Sequence, residues 1–268
     1  MTAILGIDAA WTASHPSGVA LLSGSGRKWR CVALAPSYEA FIKTAEGQAV
    51  DWASRTKGGC AEPSALLSAA QGMLDGESVQ IVAVDMPLAT VPIVHRREAE
   101  NAVGKGFGKY GCAPHNPNKS RPGRIGEQLR RQFEAEGFSL SVKGKTTGPR
   151  QLLEVFPHPA LLRLVKPDPY YRIPYKVGKT TRYWKGAPPE TRFLNLLAEL
   201  GKISTALKDA IDEIPLKLPY FTEIETFSSL KPYEDGLDAL VCAWVGIKHA
   251  QGETKPYGDE TAAIWIPV

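Results

Sequence analysis

The chain has 268 residues, 43% of them hydrophobic, with 32 Lys and Arg against 28 Asp and Glu and a net charge of +4. That length and apolar content support a full globular core in one large domain or one domain carrying an insertion. No apolar stretch approaches the roughly 20 residues of a membrane-spanning helix, and the N-terminus enters a strand-like run without a charged leader, so a cytoplasmic protein is expected.

Residues 3–8 read as a buried strand, and 17–23 and 29–34 as two more around a Gly24-Ser25-Gly26 turn, giving a three-stranded meander. Apolar residues at helical spacing predict helices over 37–45 and 64–74, with Ser37 and Ser64 as N-caps. The stretch 79–85 is short and nearly all apolar, the pattern of a buried parallel strand. From Pro87 to Arg150 the pattern loosens into Gly, Pro, Lys and Arg, and only 124–136, closed by Gly137, reads as helical. A loop that long inside a compact domain is either functional or disordered. A strand over 151–156 follows, then a short helix from Ala160, a basic loop over 170–185 and an amphipathic helix over 189–200 closed by Gly201. A helix from Gly236 and a last edge strand over 262–267 complete the chain. The basic segments, about 91–150 and 166–188, are insertions in a single domain spanning 1–268, because candidate site residues lie on both sides of them.

Four carboxylates fall where carboxylates are costly. Asp8 lies in the first apolar strand, Asp85 ends the fourth, Glu154 sits in Leu152-Leu153-Glu154-Val155-Phe156, and Asp238 opens the apolar helix that continues to Trp244. A buried acid must be paired, protonated or bound to a cation, since an unpaired buried charge costs several kcal/mol or so. Any one of them alone serves equally as a salt-bridge partner or turn cap; in particular Asp235 reads as an N-cap and Asp238 as a first-turn acid at the positive helix end. Their joint occurrence points to a metal site, with Asp235 as a reserve ligand. An all-oxygen set selects Mg²⁺ or Mn²⁺, as one or two ions.

Charge is unevenly distributed. Residues 95–192 hold twenty Lys and Arg against eight Asp and Glu, +12, while the flanking segments together carry −8. Such asymmetry marks a phosphate-rich partner, and nucleic acid is the leading class. Arg97, Lys105, Lys109, Lys119, Arg121, Arg124, Lys176, Lys179 and Arg182 are the candidate phosphate contacts. His158, between two prolines just after Glu154, is a candidate proton shuttle, whereas His95 and His115 read as solvent-exposed. Cys31, Cys60, Cys112 and Cys242 form no C-x-x-C pair, so neither a zinc site nor a disulfide framework is indicated.

The order of these elements resembles the RNase H-like fold: an α/β mixed sheet of antiparallel meander plus parallel strands, flanked by helices. More narrowly, several segments look like a family of predicted nucleases of that fold, the domain of unknown function 429. They are Gly6-Ile7-Asp8-Ala9-Ala10-Trp11 with Ser17-Gly18-Val19-Ala20, Val84-Asp85-Met86-Pro87-Leu88, Glu154-Val155-Phe156-Pro157, and the run from Asp235 to Ala243. The resemblance implies neighbouring first and fourth strands, with Asp8, Asp85, Glu154 and Asp238 converging at one sheet edge as catalytic residues. The expected activity is metal-dependent hydrolysis of phosphodiester bonds. The same fold also carries nucleotide-dependent phosphotransferases and ATPases of the sugar-kinase and actin-like type, for which Asp8 with Ser17-Gly18 is a partial match, and it can serve as a non-catalytic nucleic-acid-binding scaffold.

Overall fold

The computed structural model describes residues 1–54, 56–144, 148–223 and 226–268. Its strands are β1 (Thr2–Asp8), β2 (Gly18–Ser25), β3 (Lys28–Ala35), β4 (Ile81–Val84), β5 (Ser139–Leu140), β6 (Gln151–Val155), β7 (Thr254–Gly258) and β8 (Ala263–Pro267). They form one mixed sheet in the order β3-β2-β1-β4-β6-β8-β7, with β5 pairing beside β6. The first three strands are an antiparallel meander; β4, β6 and β8 run parallel to β1, and β7 is antiparallel to β8. The helices are α1 (Tyr38–Ala45), α2 (Pro63–Met73), α3 (Glu98–Phe107), α4 (Ile125–Ala135), α5 (Pro157–Val165), α6 (Thr180–Tyr183), α7 (Pro189–Lys208) and α8 (Lys231–Ala250).

Strand alternation divides the side chains between two cores. Ala3, Leu5, Ile7, Val82, Val84 and Leu152 face α1, α2 and α4, whereas Ile4, Ile81, Ala83, Leu153 and Val155 face α5, α7 and α8. Helix α8 is buried from Pro232 to Ile247 and is apolar around most of its circumference, as a helix enclosed by the fold must be. It lies very close to the sheet. A Cβ at Gly6 would stand 2.3 Å from the Ala239 carbonyl oxygen, and one at Gly18 would stand 2.1 Å from that of Asp235. Glycine at these two strand positions, with Ala239 and Ala243 opposite, is what admits the helix.

Several elements differ from the sequence expectation. Helix α3 lies inside the segment read as loop, because its Gly104 and Gly106 interrupt the apolar period that Ala99, Val103 and Phe107 nonetheless supply. Helix α2 begins at Pro63 with Glu62 at its N-cap, so Ser64 caps nothing. Helix α7 runs through Gly201 to Lys208, since Leu200, Ile203 and Leu207 continue its buried stripe. The strand expected at the edge, β8, is interior; β7 takes the edge, where its Pro256 is tolerated. Ser37 does cap α1, accepting the Ala40 N–H at 3.1 Å. No described helix is long and apolar enough to cross a membrane.

Replacing Gly18 by Ala drives a methyl group into the Asp235 carbonyl. The expected cost is about 1–3 kcal/mol, the range for overpacking a core, seen as a fall of several degrees in Tm. Thermal denaturation of Gly18→Ala checks this, and an unchanged Tm would show that α8 has room to retreat.

Candidate functional site

The acids gather where β1 and β4 end against the first turns of α8. The Asp85 N–H donates to the Ile7 carbonyl at 2.9 Å, carrying the β1–β4 register one step past the paired strands. Alternation aims Asp8 and Asp85 at the α8 side, and the close approach at Gly18 sets Asp235 beside Asp8. Both strand-end acids are half-buried, and among the described residues no hydrogen bond or ion pair reaches either carboxylate. Burial, then the neighbouring Asp8 charge, push Asp85 well above the usual carboxylate range, with Lys176 pulling it back.

On α8 the acids carry internal counter-ions. Asp238, fully buried, accepts from the Tyr175 hydroxyl at 2.6 Å and from the Lys176 ammonium. Burial pushes its carboxyl up to about 6 against the pull of Lys176. Lys176 also lies 3.4 Å from Glu234, whose other oxygen accepts the Val177 N–H at 2.6 Å. Lys231 bridges Glu234 at 2.7 Å and Asp235 at 2.5 Å. Although burial opposes ionisation of Glu234, these two lysines hold it below its ordinary value. Asp235 is not the expected N-cap: the helix begins four residues earlier, at Lys231, and Asp235 stands inside it. Its Oδ2 atom is buried with no hydrogen-bond partner, and burial raises its carboxyl well above the usual range.

Glu154 is committed elsewhere. It pairs with Val84 across β4–β6, one residue out of phase with Asp85, so its carboxylate leaves the α8 side. There it receives a two-pronged grip from Arg97 at 2.7 and 2.6 Å and the Leu88 N–H at 2.8 Å. Both oxygens are engaged, so the expected metal ligand is a structural ion-pair partner. Arg97 likewise gives way as a phosphate contact, since it also grips Glu100, donates to the Leu88 carbonyl at 2.6 Å and is almost wholly buried. Burial pushes Glu154 up to about 7, with Arg97 opposing.

The remaining expected residues divide by location. Lys179, Arg182 and Arg121 lie near the acids, joined by Arg172, which the sequence did not single out: Lys179 is held below its ordinary value by burial and by Arg172, Lys176 and Arg182, and Arg121 lies over the Trp11 ring. Lys119 and Arg124 line a groove beside α4. Lys105 and Lys109 belong with α3 at the β7–β8 end of the sheet, Lys109 over the Tyr110 ring, away from the acid cluster. His158 is wedged between Phe156 and Tyr175 with its Nδ1 buried and unpartnered, and burial followed by Lys176 keeps it well below the ordinary histidine value. The imidazole at the acids is instead His115. It lines a cavity of about 100 Å³ with Trp11, Asp85, Glu100 and Glu154, and burial, then Lys179, lowers its pKa. Nothing in the sequence around His115 separates it from a surface histidine; only the fold of the loop brings it to Trp11.

Among the described residues, no group of three or more His, Cys, Asp or Glu side chains is disposed to hold a metal ion. Lysines occupy the acid cluster in the role of the cation. The carboxylate oxygens left without a partner among the described residues are those of Asp8 and Asp85 and the Oδ2 of Asp235. Lys231, its side chain 42% exposed, bridges Asp235 to Glu234 at the solvent side of the cluster.

A family described as "Protein of unknown function (DUF429)" matches residues 6–262. No curated protein and no solved structure gives a significant match.

Two stability effects follow. Arg97→Met leaves Glu100 and Glu154 buried without a cation, at an expected cost of about 3–5 kcal/mol in urea denaturation. A carboxyl whose folded-state pKa stands above its unfolded value stabilises the fold fully below the unfolded value and loses that contribution as pH rises through the folded one. Within the acid cluster Asp85, Asp235, Asp238 and Glu154 are raised and Glu234 is lowered, so the four raised carboxyls contribute stability that is lost as pH rises through their folded-state values, about 6 for Asp238 and about 7 for Glu154, while the buried His158 and His249, both lowered, act in the opposite sense as pH falls below the ordinary histidine value. Asp85→Asn is more stable than wild type in EDTA at the alkaline end, and the difference closes as pH falls. Urea titrations across this range check both; an Asp85→Asn protein less stable than wild type at pH 8 would show that the Asp85 charge is compensated.

Proposed function

The chain belongs to the family described as "Protein of unknown function (DUF429)", and on that footing we propose that it is a divalent-metal-dependent hydrolase of phosphodiester bonds in nucleic acid, built on an RNase H-like fold. The observation that carries the reading is the pair Asp8 and Asp85: two half-buried carboxylates on adjacent parallel strand ends, with no hydrogen-bond or ion-pair partner among the described residues, beside the Asp235 oxygen that likewise has none among them. A buried cluster without enough internal cations is relieved by binding one, and the C-terminal ends of parallel strands are where open α/β sheets take their ligands. The β3-β2-β1-β4-β6 order, with the first strand central between a meander and parallel strands, supports the RNase H-like assignment.

In this reading Asp8, Asp85 and Asp235 hold Mg²⁺ or Mn²⁺. The ion supplies an activated water and neutralises charge on the phosphodiester. Asp238 acts one step back, tying Lys176 and Tyr175 to α8. Lys179, Arg182 and Arg121 attract the flanking phosphates, and His115, its pKa lowered by burial and then by Lys179, Arg121 and Arg172, accepts a proton at the mouth of the Asp85 cavity. The phosphotransferase reading is less well supported, since Ser17 and Gly18 are buried in packing: Ser17 accepts the Ala10 N–H at 3.0 Å, and Gly18 lies against Asp235.

The test is cleavage of single-stranded and duplex DNA and RNA with Mn²⁺. Wild type cuts at least one of them, and Asp8→Asn or Asp85→Asn loses about a hundredfold or more of the rate, the scale of several kcal/mol of barrier. A wild type that cuts none of these while binding ATP with Mg²⁺ at micromolar concentration would replace the reading with the phosphotransferase.

A further inference from the structure

The structure holds a groove that the acid cluster does not account for. One cavity, of about 730 Å³, lies between the segment after β4 and the start of α4; a second, of about 340 Å³, lies on the other side of α4. Gln128 and Arg131 of α4 line both. The second cavity is also lined by Ala9, directly after Asp8, and by Met86, directly after Asp85.

The walls of the larger cavity differ in chemistry. One wall is cationic: Lys119, Arg124 and Arg131. Arg131 is paired with Glu127 at 2.5 Å, but Lys119 and Arg124 are exposed and have no ion-pair or hydrogen-bond partner among the described residues. The other wall is apolar and presented to solvent by Val91, which is 50% exposed, with Pro92 and Ile93. Ile93 also packs inward against the cluster of Val103, Phe107 and Ile264, while Val91 and Pro92 stay exposed.

We infer that this groove binds a single unpaired nucleic-acid strand, phosphates along the Lys119–Arg124 wall and base faces along the Val91–Ile93 wall. The inference rests on the nucleic-acid reading above and narrows its substrate class. A duplex presents phosphates on both flanks and keeps its base faces stacked inside, so an apolar wall opposite a cationic one offers it little. An unpaired strand exposes phosphates on one side and base faces on the other, and such strands bind where a cationic track runs beside apolar surface. Trp11, with Arg121 over its ring at 5.7 Å and His115 edge-on at 6.4 Å, adds an aromatic face beside the acids.

Binding of fluorescently labelled single strands and of duplexes of equal length is measured by anisotropy in EDTA, where hydrolysis plays no part. A protein that binds strands but fails to cut them under Mn²⁺ thus defeats the catalytic reading and leaves this one standing. Single strands are expected to bind at least tenfold more tightly than duplexes. The Lys119→Glu/Arg124→Glu protein is expected to lose at least tenfold in single-strand affinity, with a log–log salt slope shallower by about 1.4, the share of two phosphate contacts to a single strand. Val91→Ser is expected to weaken strands while leaving that slope unchanged. The charge-matched control Lys202→Glu/Lys208→Glu, on α7 across the sheet, retains wild-type affinity, and circular dichroism confirms that each variant is folded. Duplexes binding as tightly as strands, or full single-strand affinity in the Lys119→Glu/Arg124→Glu protein, would overturn the inference.

Discussion

The site depends on how closely α8 lies against β1 and β2. Gly6 and Gly18 leave no side chain between strand and helix, and the helix answers with its own backbone at Ala239 and Asp235. That contact fixes which turn of α8 meets the ends of the parallel strands, and so it places Asp235 and Asp238 beside Asp8 and Asp85. Burying an apolar helix is thereby coupled to concentrating negative charge. The packing that stabilises the core brings together groups that repel.

The fold relieves that repulsion unevenly. Arg97 neutralises Glu154 on one side of the sheet, and Lys176 and Lys231 bind three acids of α8 on the other. Among the described residues Asp8 and Asp85 receive no such partner, and Asp235 keeps one bare oxygen. A purely structural cluster would gain from satisfying all of them, because an unmet buried charge costs more than a pair returns. The deficit lies at the half-exposed strand ends, where a ligand can reach.

Much of this was legible in the sequence. The meander, the buried strand before Asp85 and the strand through Glu154 follow from apolar runs bounded by turn residues, and the acids within them stand out because those runs are otherwise apolar. What periodicity does not carry is the partner of each acid. Glu154 lies one residue out of phase with Asp85, a difference visible only once the β4–β6 register is known. Arg97 was readable as a cation in a basic segment, but its burial between Glu100 and Glu154 depends on α3, whose glycines mask its helical period. His115 and the two-walled groove depend on how the long insertion folds back over the sheet, which has no local signature. Asp235 illustrates the same limit: an Asp before Gly-Leu-Asp reads as a cap until Lys231 and Pro232 are seen to start the helix earlier.

The central claim is that Asp8, Asp85 and Asp235 form a divalent-cation site. Anomalous diffraction at the manganese edge, from crystals grown with Mn²⁺, tests it most directly. The account predicts a peak within about 2.0–2.6 Å of oxygens from Asp8 and Asp85, the range of hard-cation ligation, with Lys231 turned away from Asp235. No peak at these carboxylates at saturating Mn²⁺, with Lys231 still bridging Glu234 and Asp235, would contradict it.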